Sequence, residues 1–574
     1  MLLALGISPP LSASQIQDSA RAYREARNAE AQYEYVARHS APLGGGSRPR
    51  GSCDEIVGRF CLYHDTGRDP LPPEPPEIAV VRVKAIDKLR AAFKINPARV
   101  ATVLPLIRLL VENQDIEGAR AVTQDFQVAD GDVVTGHMLA VLSHHAAGRI
   151  PEAESAIASW LATLDSTKQR GLEDLTWLLD RRERSRYRAL SREQKAAYQE
   201  RFWRYADALY VTPGNEVRTE HFARHVENHL LRTVPVVRGS TSWGDDVAQL
   251  TIRYGIPKAR TRLWPGSSVA SELQINEHYD PEQMVYAPSA IDSVLKVIAR
   301  PAGGWPMDTV RSISGHVPPT VRRMLPLEHQ AGVFRENGTL VLRVDGRIIA
   351  DDSATGRTRA RRALVVLDPD LKELARVEDW GPIRGDTLYF RMEIPVPAGA
   401  AHYSAELIEP ETRLAARARF PITSSRADSG LYLSDIMIAE PFPPGRMPAS
   451  RSDPSVTPKA ALLIAPDSSF GVYAQVDLNR ASRTSVNVEL ELTGIDGRPA
   501  LVRAARWLGR TLGLGQKPRP NKLSWTVEIP ESGRTAIAVT IDPGRLKRGR
   551  YLVNLAVSDQ EARRAQARRE IMID

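Results

Sequence analysis

Cysteine is almost absent from this chain: 574 residues contain two, Cys53 and Cys61. That excludes a disulfide-dense scaffold and any zinc module built on paired C-x-x-C elements. Long apolar runs are missing as well, and none approaches the roughly 18 residues that a membrane-spanning helix requires. Aromatics are only 6% of the residues, and the net charge of +8 comes from 77 basic residues interleaved with 69 acidic ones. A nucleic-acid footprint concentrates its cations and sets stacking aromatics among them, so this composition argues against one. The short motifs of common catalysts are lacking too: no G-x-S-x-G, P-loop, G-x-G-x-x-G or haem-attaching C-x-x-C-H occurs.

What is present points to several folded modules. A hydrophobic fraction of 42% supplies more than one core, and 41 prolines with 38 glycines supply many turns. At roughly 100–200 residues per domain the length predicts about three to five domains. Met1–Ile7 is a short apolar run followed by the small residues Ser12-Ala13-Ser14. We read 1–14 as the residual end of a signal peptide whose start lies upstream, against the alternative of an apolar helix start. Cys53 and Cys61 are separated by seven residues within GSCDEIVGRFCLYH. In an exported protein they predict one small disulfide loop; two free thiols, or a metal site drawing on His64, are the alternatives.

Residues 15–79 are expected to form a helix, over 15–38, and then a Gly/Pro-rich linker carrying the cysteine loop. From residue 80 a period appears. Ala85, Ala119 and Ala153 are spaced 34 residues apart, each inside a helical run and with another helical run beside it. A 34-residue helix–turn–helix period is similar to tetratricopeptide repeats, and it sets 80–184 as a helical repeat segment. Arg181–Arg188 reads as a solvated helix face, and Ser191-x-x-Gln194 as a capping box opening the next helix. From about residue 333 the pattern becomes short, alternating, turn-bounded strands. Tyr403-x-x-x-Leu407 and its turn are echoed by Tyr551-x-x-x-Leu555. This predicts two immunoglobulin-like sandwiches, 331–440 and 459–574, separated by the Pro-rich linker 441–458.

The segment between helices and strands carries a recognisable pattern. Phe202, Trp203, Asp207, Thr212, Pro213, Asn215 and Glu216 are followed by Trp243, Asp246, Tyr254, Gly255 and Pro257. The tryptophan stands eleven residues before Tyr254. This resembles the GWxTD-domain family of exported bacterial proteins over about residues 185–265. The sequence departs from that pattern at its centre, where Ser242 replaces the glycine and Asp245 the threonine. The resemblance implies a compact α/β middle domain over 185–330 in an exported envelope protein, and it implies no particular reaction. On physical grounds the two tryptophans are core anchors, Gly255 and Pro257 end a strand QLTIRY, and Asp245-Asp246 turn the chain before that strand.

Two groups of residues hold candidate chemistry. His221, His225 and His229 recur every four residues on one predicted helix, so neighbouring pairs share a face and are metal-ligand candidates. Glu227 stands two positions after His225, on the far side of the helix, and not where the general base of a metalloprotease helix sits. Asp245 and Asp246 are acid/base candidates whose partner is not identifiable. The resulting expectation is a multidomain α+β protein with no cofactor. It is periplasmic or secreted and serves protein or glycan interaction, without nucleic acid or transmembrane segment. The alternative is a metal-assisted hydrolase using zinc on the histidine helix together with Asp245 and Asp246.

Overall fold

The computed structural model describes residues 13–40, 55–58, 60–64, 73–179, 181–234, 244–256, 259–262, 282–286, 321–349, 359–384, 387–422, 430–443, 448, 450–453, 455–465, 468–478, 484–495, 521–542 and 546–574. These form a multidomain α+β chain with helices in the N-terminal half and sheets in the C-terminal half. The chain divides into two compact units. One comprises Met1–Ala208 and Thr212–Thr320; the other comprises Leu209–Val211 and Val321–Asp574.

The first unit contains, among its described residues, α1 (Ala13–His39), α2 (Pro76–Ile95), α3 (Val100–Glu112), α4 (Ile116–Val128), α5 (Val133–Ala146), α6 (Ile150–Ala162), α7 (Ser166–Glu173), α8 (Arg181–Arg188), α9 (Arg192–Ala206), α10 (Glu216–Arg232) and α11 (Asp245–Tyr254). Local chemistry sets many of the starts. The carboxylate of Asp115 accepts the Gly118 N–H at 2.9 Å, and Asp132 accepts that of Thr135 at 2.8 Å, each satisfying an otherwise orphaned helix donor. Ser191 and Gln194 form the expected capping box of α9. From α1 to α6 each helix packs on the next. Ala85, Ala119 and Ala153 are fully buried, so the absent side chain is what lets α2, α4 and α6 approach their neighbours. The α3–α4 and α5–α6 turns each use a left-handed residue, Gln114 (φ 60°) and Gly148 (φ 69°), which are 34 residues apart. α1 is fastened by Arg108 on α3, whose buried guanidinium meets Glu30, Glu34 and Glu112 at 3.2, 2.7 and 3.0 Å.

The cysteine segment forms sheet rather than a bare loop. β1 (Glu55–Val57) and β2 (Phe60–His64) make a hairpin, and β2 pairs in parallel with β4 (Glu282–Tyr286), which in turn pairs with β3 (Ala259–Arg262). Strands more than 200 residues apart in the chain are thereby joined, which local periodicity does not signal. Cys53 and the side chain of Cys61 lie outside the described residues, and so does the expected disulfide.

In the second unit the strands are β5 (Arg323–Pro326), β6 (Glu328–Glu336), β7 (Thr339–Ile349), β8 (Arg359–Leu367), β9 (Glu373–Arg384), β10 (Thr387–Pro395), β11 (His402–Glu409), β12 (Leu414–Pro421), β13 (Leu431–Leu433), β14 (Met437–Ala439), β15 (Leu463–Ile464), β16 (Phe470–Leu478), β17 (Thr484–Gly494), β18 (Asn521–Ile529), β19 (Arg534–Ile541), β20 (Gly549–Ser558) and β21 (Arg564–Ile573). The first eight run in the order β5-β12-β11-β8-β9-β10-β7-β6. β9 touches β10 through only two register pairs, so the sheet folds there. Its two halves bury one core that includes Val344, Leu364, Phe390 and Leu407. The remaining strands form the sheet β15-β21-β20-β17-β18 and a smaller one in which β16 is flanked by β13 and β14 on one side and β19 on the other. They share a second core around Val472, Val488 and Val553.

The two β modules repeat one plan. Each closes on a hairpin, β11–β12 or β20–β21, whose outer strand accepts a short parallel strand, β5 or β15. Tyr403 and Tyr551 occupy the same place in these hairpins, and both are buried. The segment 441–458 does more than link the modules. Phe442, Arg451 and Val456 are buried, with Phe442 and Val456 in a third apolar cluster that joins Phe334 to Tyr473. The Gln330 side chain completes the seam, donating to the Ile438 carbonyl at 2.6 Å and accepting the Ile438 N–H at 2.9 Å.

Candidate functional site

Seven residues of the sequence pattern, Phe202, Trp203, Asp207, Thr212, Pro213, Asn215 and Glu216, lie at the corner between α9 and α10. Phe202 and Trp203 are buried near the end of α9, with rings edge to face at 4.9 Å. Asp207 ends that helix, donating its backbone N–H to the Trp203 carbonyl. Asn215 is the pivot of the corner. Its Oδ1 caps α10 by accepting the Arg218 N–H at 2.8 Å, and its Nδ2 donates to the Trp203 carbonyl at 2.6 Å. The Thr212 hydroxyl donates to the Glu216 carboxylate, which is fully buried in the first turn of α10. Pro213 is exposed. Gly214 has φ 85°, and a Cβ there would sit 2.7 Å from Ile150 Cγ2, so the turn requires glycine on both counts.

Only two of the three histidines come together. His221 is buried against Trp203, ring centroids 5.1 Å apart, and its Nε2 donates to the Leu172 carbonyl at 2.9 Å. The carbonyl can only accept, so Nδ1 carries the lone pair. The His225 ring stands 4.6 Å from that of His221, nearly perpendicular to it. Burial drives both imidazoles toward the neutral form, with His221 brought down to about 4 and His225 well below its ordinary value. His229 is exposed, one turn further on. Glu227 lies off this pair as the helix period demands; burial pushes its carboxyl up to about 7, opposed by Arg224.

The expectation of a strand at 249–254 is corrected: Asp245–Tyr254 is the helix α11. Apolar residues at 248, 250, 252 and 254 satisfy an alternating reading. The same stretch also places Val247, Ala248, Thr251 and Tyr254 on one helical stripe. Asp245 and Asp246 then sit in the first turn, where carboxylates complement the helix dipole, and Gly255 at φ 75° stops the helix. The two carboxylates therefore belong to a helix start. Asp246 accepts the Val247 N–H at 2.9 Å and packs against Gly58 of the β1–β2 turn. Tyr254 is buried. Trp243 and Pro257 lie outside the described residues.

A zinc ion needs at least three protein ligands, from histidine, cysteine or carboxylate. His221 Nδ1 and His225 Nε2 are buried and have no hydrogen-bond partner among the described residues. No group of three potential ligands gathers there or elsewhere among the described residues. The described residues do not complete a metal centre.

Sequence reasoning missed a buried ion pair in the second unit. Arg419 and Glu406, both fully buried, meet at 2.8 Å on adjacent strands. Glu406 also accepts the Val211 N–H at 2.8 Å, and the Arg419 guanidinium lies 3.9 Å over the Tyr210 ring. Alternation put Ser404, Glu406, Arg417 and Arg419 on the face opposite the core, where a strand pattern reads as solvent. Tripeptide Leu209–Val211 covers that face, and no local signal announces a cover from some 200 residues away.

No helix among the described residues is long and apolar enough to cross a membrane. The sequence matches no protein-family model and no curated protein. Among solved structures, red sea bream transglutaminase is similar over 43% of this chain, with 9% identity and a TM-score of 0.14. The matched part spans 31% of that protein's length, and a likeness so slight bears on neither fold nor function.

Proposed function

We infer that this chain is an exported envelope protein of the GWxTD type that acts through protein or glycan interaction, and that its motif corner is architectural. The observation that carries this reading is the use made of the candidate residues. Asn215, Thr212 and Glu216 are engaged in capping and turn bonds, and His221 donates to the Leu172 carbonyl from within the core. Groups committed to such bonds are not available to a substrate. The 34-residue recurrence of buried alanines and left-handed turns supports tetratricopeptide-like helix pairs, and the repeated β plan supports immunoglobulin-like modules. Both architectures serve binding more often than chemistry.

The test is a pull-down from envelope extract on the immobilised full chain, with zinc content measured on the same preparation. Recovery of a saturable partner, with zinc far below one per chain, fits the interaction reading. Stoichiometric zinc that is lost in the His221→Ala/His225→Ala double variant would turn the reading to metal-assisted hydrolysis. Fractionation of the full gene product checks export; protein confined to the cytosol refutes it.

A further inference from the structure

Within the second unit, the five-stranded sheet β15-β21-β20-β17-β18 ends on a long strand. β18 pairs with β17 along its whole length, from Asn521↔Leu492 to Ile529↔Thr484, and among the described residues no strand pairs with its other side. Such an edge presents a row of N–H and C=O groups that templates a further strand. Neither proline nor glycine interrupts it. Alternation sorts the side chains cleanly. Trp525, Val527 and Ile529 turn to the core shared with Val488, whereas Lys522, Ser524, Thr526 and Glu528 are exposed on the opposite face. Leu523 belongs to the core face by register yet is 54% exposed, so apolar surface reaches the rim of the sheet. The charges stand symmetrically: Lys522 is three residues before Trp525 and Glu528 three after it. Lys522 lies opposite Glu491 and meets Glu489 at 2.7 Å, a carboxylate that also receives Arg564 at 3.5 Å. Glu528 has no ion pair among the described residues, and the residue opposite it on β17 is Ser485.

We propose that β18 pairs antiparallel with β18 of a second copy of this chain, about a two-fold axis at Trp525. In that register Lys522 of each copy lies opposite Glu528 of the other, Leu523 opposite Val527, Ser524 opposite Thr526, and Trp525 opposite its own counterpart. Unlike charges and apolar or aromatic pairs set opposite one another are what stabilise neighbouring antiparallel strands. The axis stands perpendicular to the sheet, so both core faces stay on one side and the two sheets become continuous. A shared, self-complementary patch of this kind is the ordinary form of a two-fold dimer. Other registers lose the match. Centring on Ser524 or Thr526 sets Lys522 opposite Thr526 or Pro530, and a shift of one residue turns the core face of one copy to the wrong side. Charges on an edge strand ordinarily deter added strands. Here their symmetry makes the strand's own copy the exception, since an uncharged strand leaves Glu528 unmatched. The Lys522 ammonium has three donors, so it keeps Glu489 while it donates to Glu528 of the second copy. Leu523 gains an apolar neighbour in Val527 of that copy. This pairing is independent of the envelope-interaction reading.

The experiment is sedimentation velocity of the full chain from about 1 to about 200 µM, on the parent, on Glu528→Lys, on Lys522→Glu and on an equimolar mixture of the two variants. The parent is expected to pass reversibly from monomer to dimer in that range. Glu528→Lys sets a lysine opposite Lys522, and Lys522→Glu sets a glutamate opposite Glu528, so each variant self-associates about tenfold more weakly or worse. In the mixture both charged pairs are opposed again, and a heterodimer forms with an affinity within about threefold of the parent's. Circular dichroism checks that each variant is folded. Glu528→Lys alters an exposed side chain without an ion pair among the described residues, so it keeps the fold. Should Lys522→Glu, which also gives up Glu489, lose its fold, the graded order parent, Glu528→Gln, Glu528→Lys in falling affinity supports the pairing in its place. The proposal is overturned if the parent is still monomeric at about 200 µM, if Glu528→Lys associates as tightly as the parent, or if the two folded variants fail to associate on mixing.

Discussion

His221 makes the stability of the helical unit sensitive to acid in a way that can be worked out in advance. Its folded-state pKa is depressed to about 4, against an ordinary value of 6.5. Above pH 6.5 the imidazole is neutral in both states and folding costs it nothing in protonation. As the pH falls below 6.5 the unfolded chain takes up a proton that the folded chain refuses, so stability is lost progressively until about pH 4. Each pH unit in that window removes about 1.4 kcal/mol, which totals about 3 kcal/mol when the window has been crossed. His225 is shifted in the same direction and adds to the loss. The perturbation is His221→Gln, which keeps a donor for the Leu172 carbonyl and removes the titration. The assay is hydrogen exchange by mass spectrometry at pH 7.5 and pH 5, corrected for intrinsic rates and followed on peptides from α10. Between these conditions the His221 contribution alone is about 2 kcal/mol, or roughly thirtyfold in α10 protection, and the variant lacks that share of the drop. Peptides from the β11–β12 hairpin serve as the reference, where parent and variant behave alike. Equal losses of α10 protection in parent and variant would refute the assignment of a neutral, buried His221.

Three further outcomes test other parts of the molecule. Glu406→Ala leaves the Arg419 charge buried without its partner and costs about 3–5 kcal/mol, whereas the Glu406→Leu/Arg419→Met double variant recovers most of that loss; thermal unfolding of the two separates them. Gly214→Ala lowers the melting temperature more than Gly399→Ala, since both glycines have positive φ but only the first has Ile150 in the way, and a cost of about 1 kcal/mol is expected at Gly399 for the backbone alone. Glu227 has a raised folded-state pKa of about 7, so its unfavourable share is absent below pH 4.5 and grows as the pH rises to 7. Glu227→Gln therefore stabilises the chain at pH 8 more than at pH 5, which urea titration at the two pH values checks.

The capping box at Ser191, the buried alanines at 85, 119 and 153, and the buried tyrosines of the two closing hairpins were legible because each depends on residues close together in the chain. Helix caps, periodic apolar stripes and hairpin turns are local physics, and composition alone excluded a membrane-spanning helix and a dense disulfide framework. The stretch 245–254 was misread because its apolar residues fit a period of two and a period of 3.6 at once, and only packing chooses between them. Distant contacts escaped altogether. The pairing of residues 62–64 with 284–286, the burial of Glu406 and Arg419 under Leu209–Val211, and the joining of both β modules through Gln330 and the 441–458 segment each unite residues widely separated in the chain. The histidine helix shows the division most directly. Spacing made His221, His225 and His229 equivalent; the tertiary fold buried the first, leaned the second on it and left the third exposed, because burial depends on what packs against a helix and the helix's own sequence does not contain that.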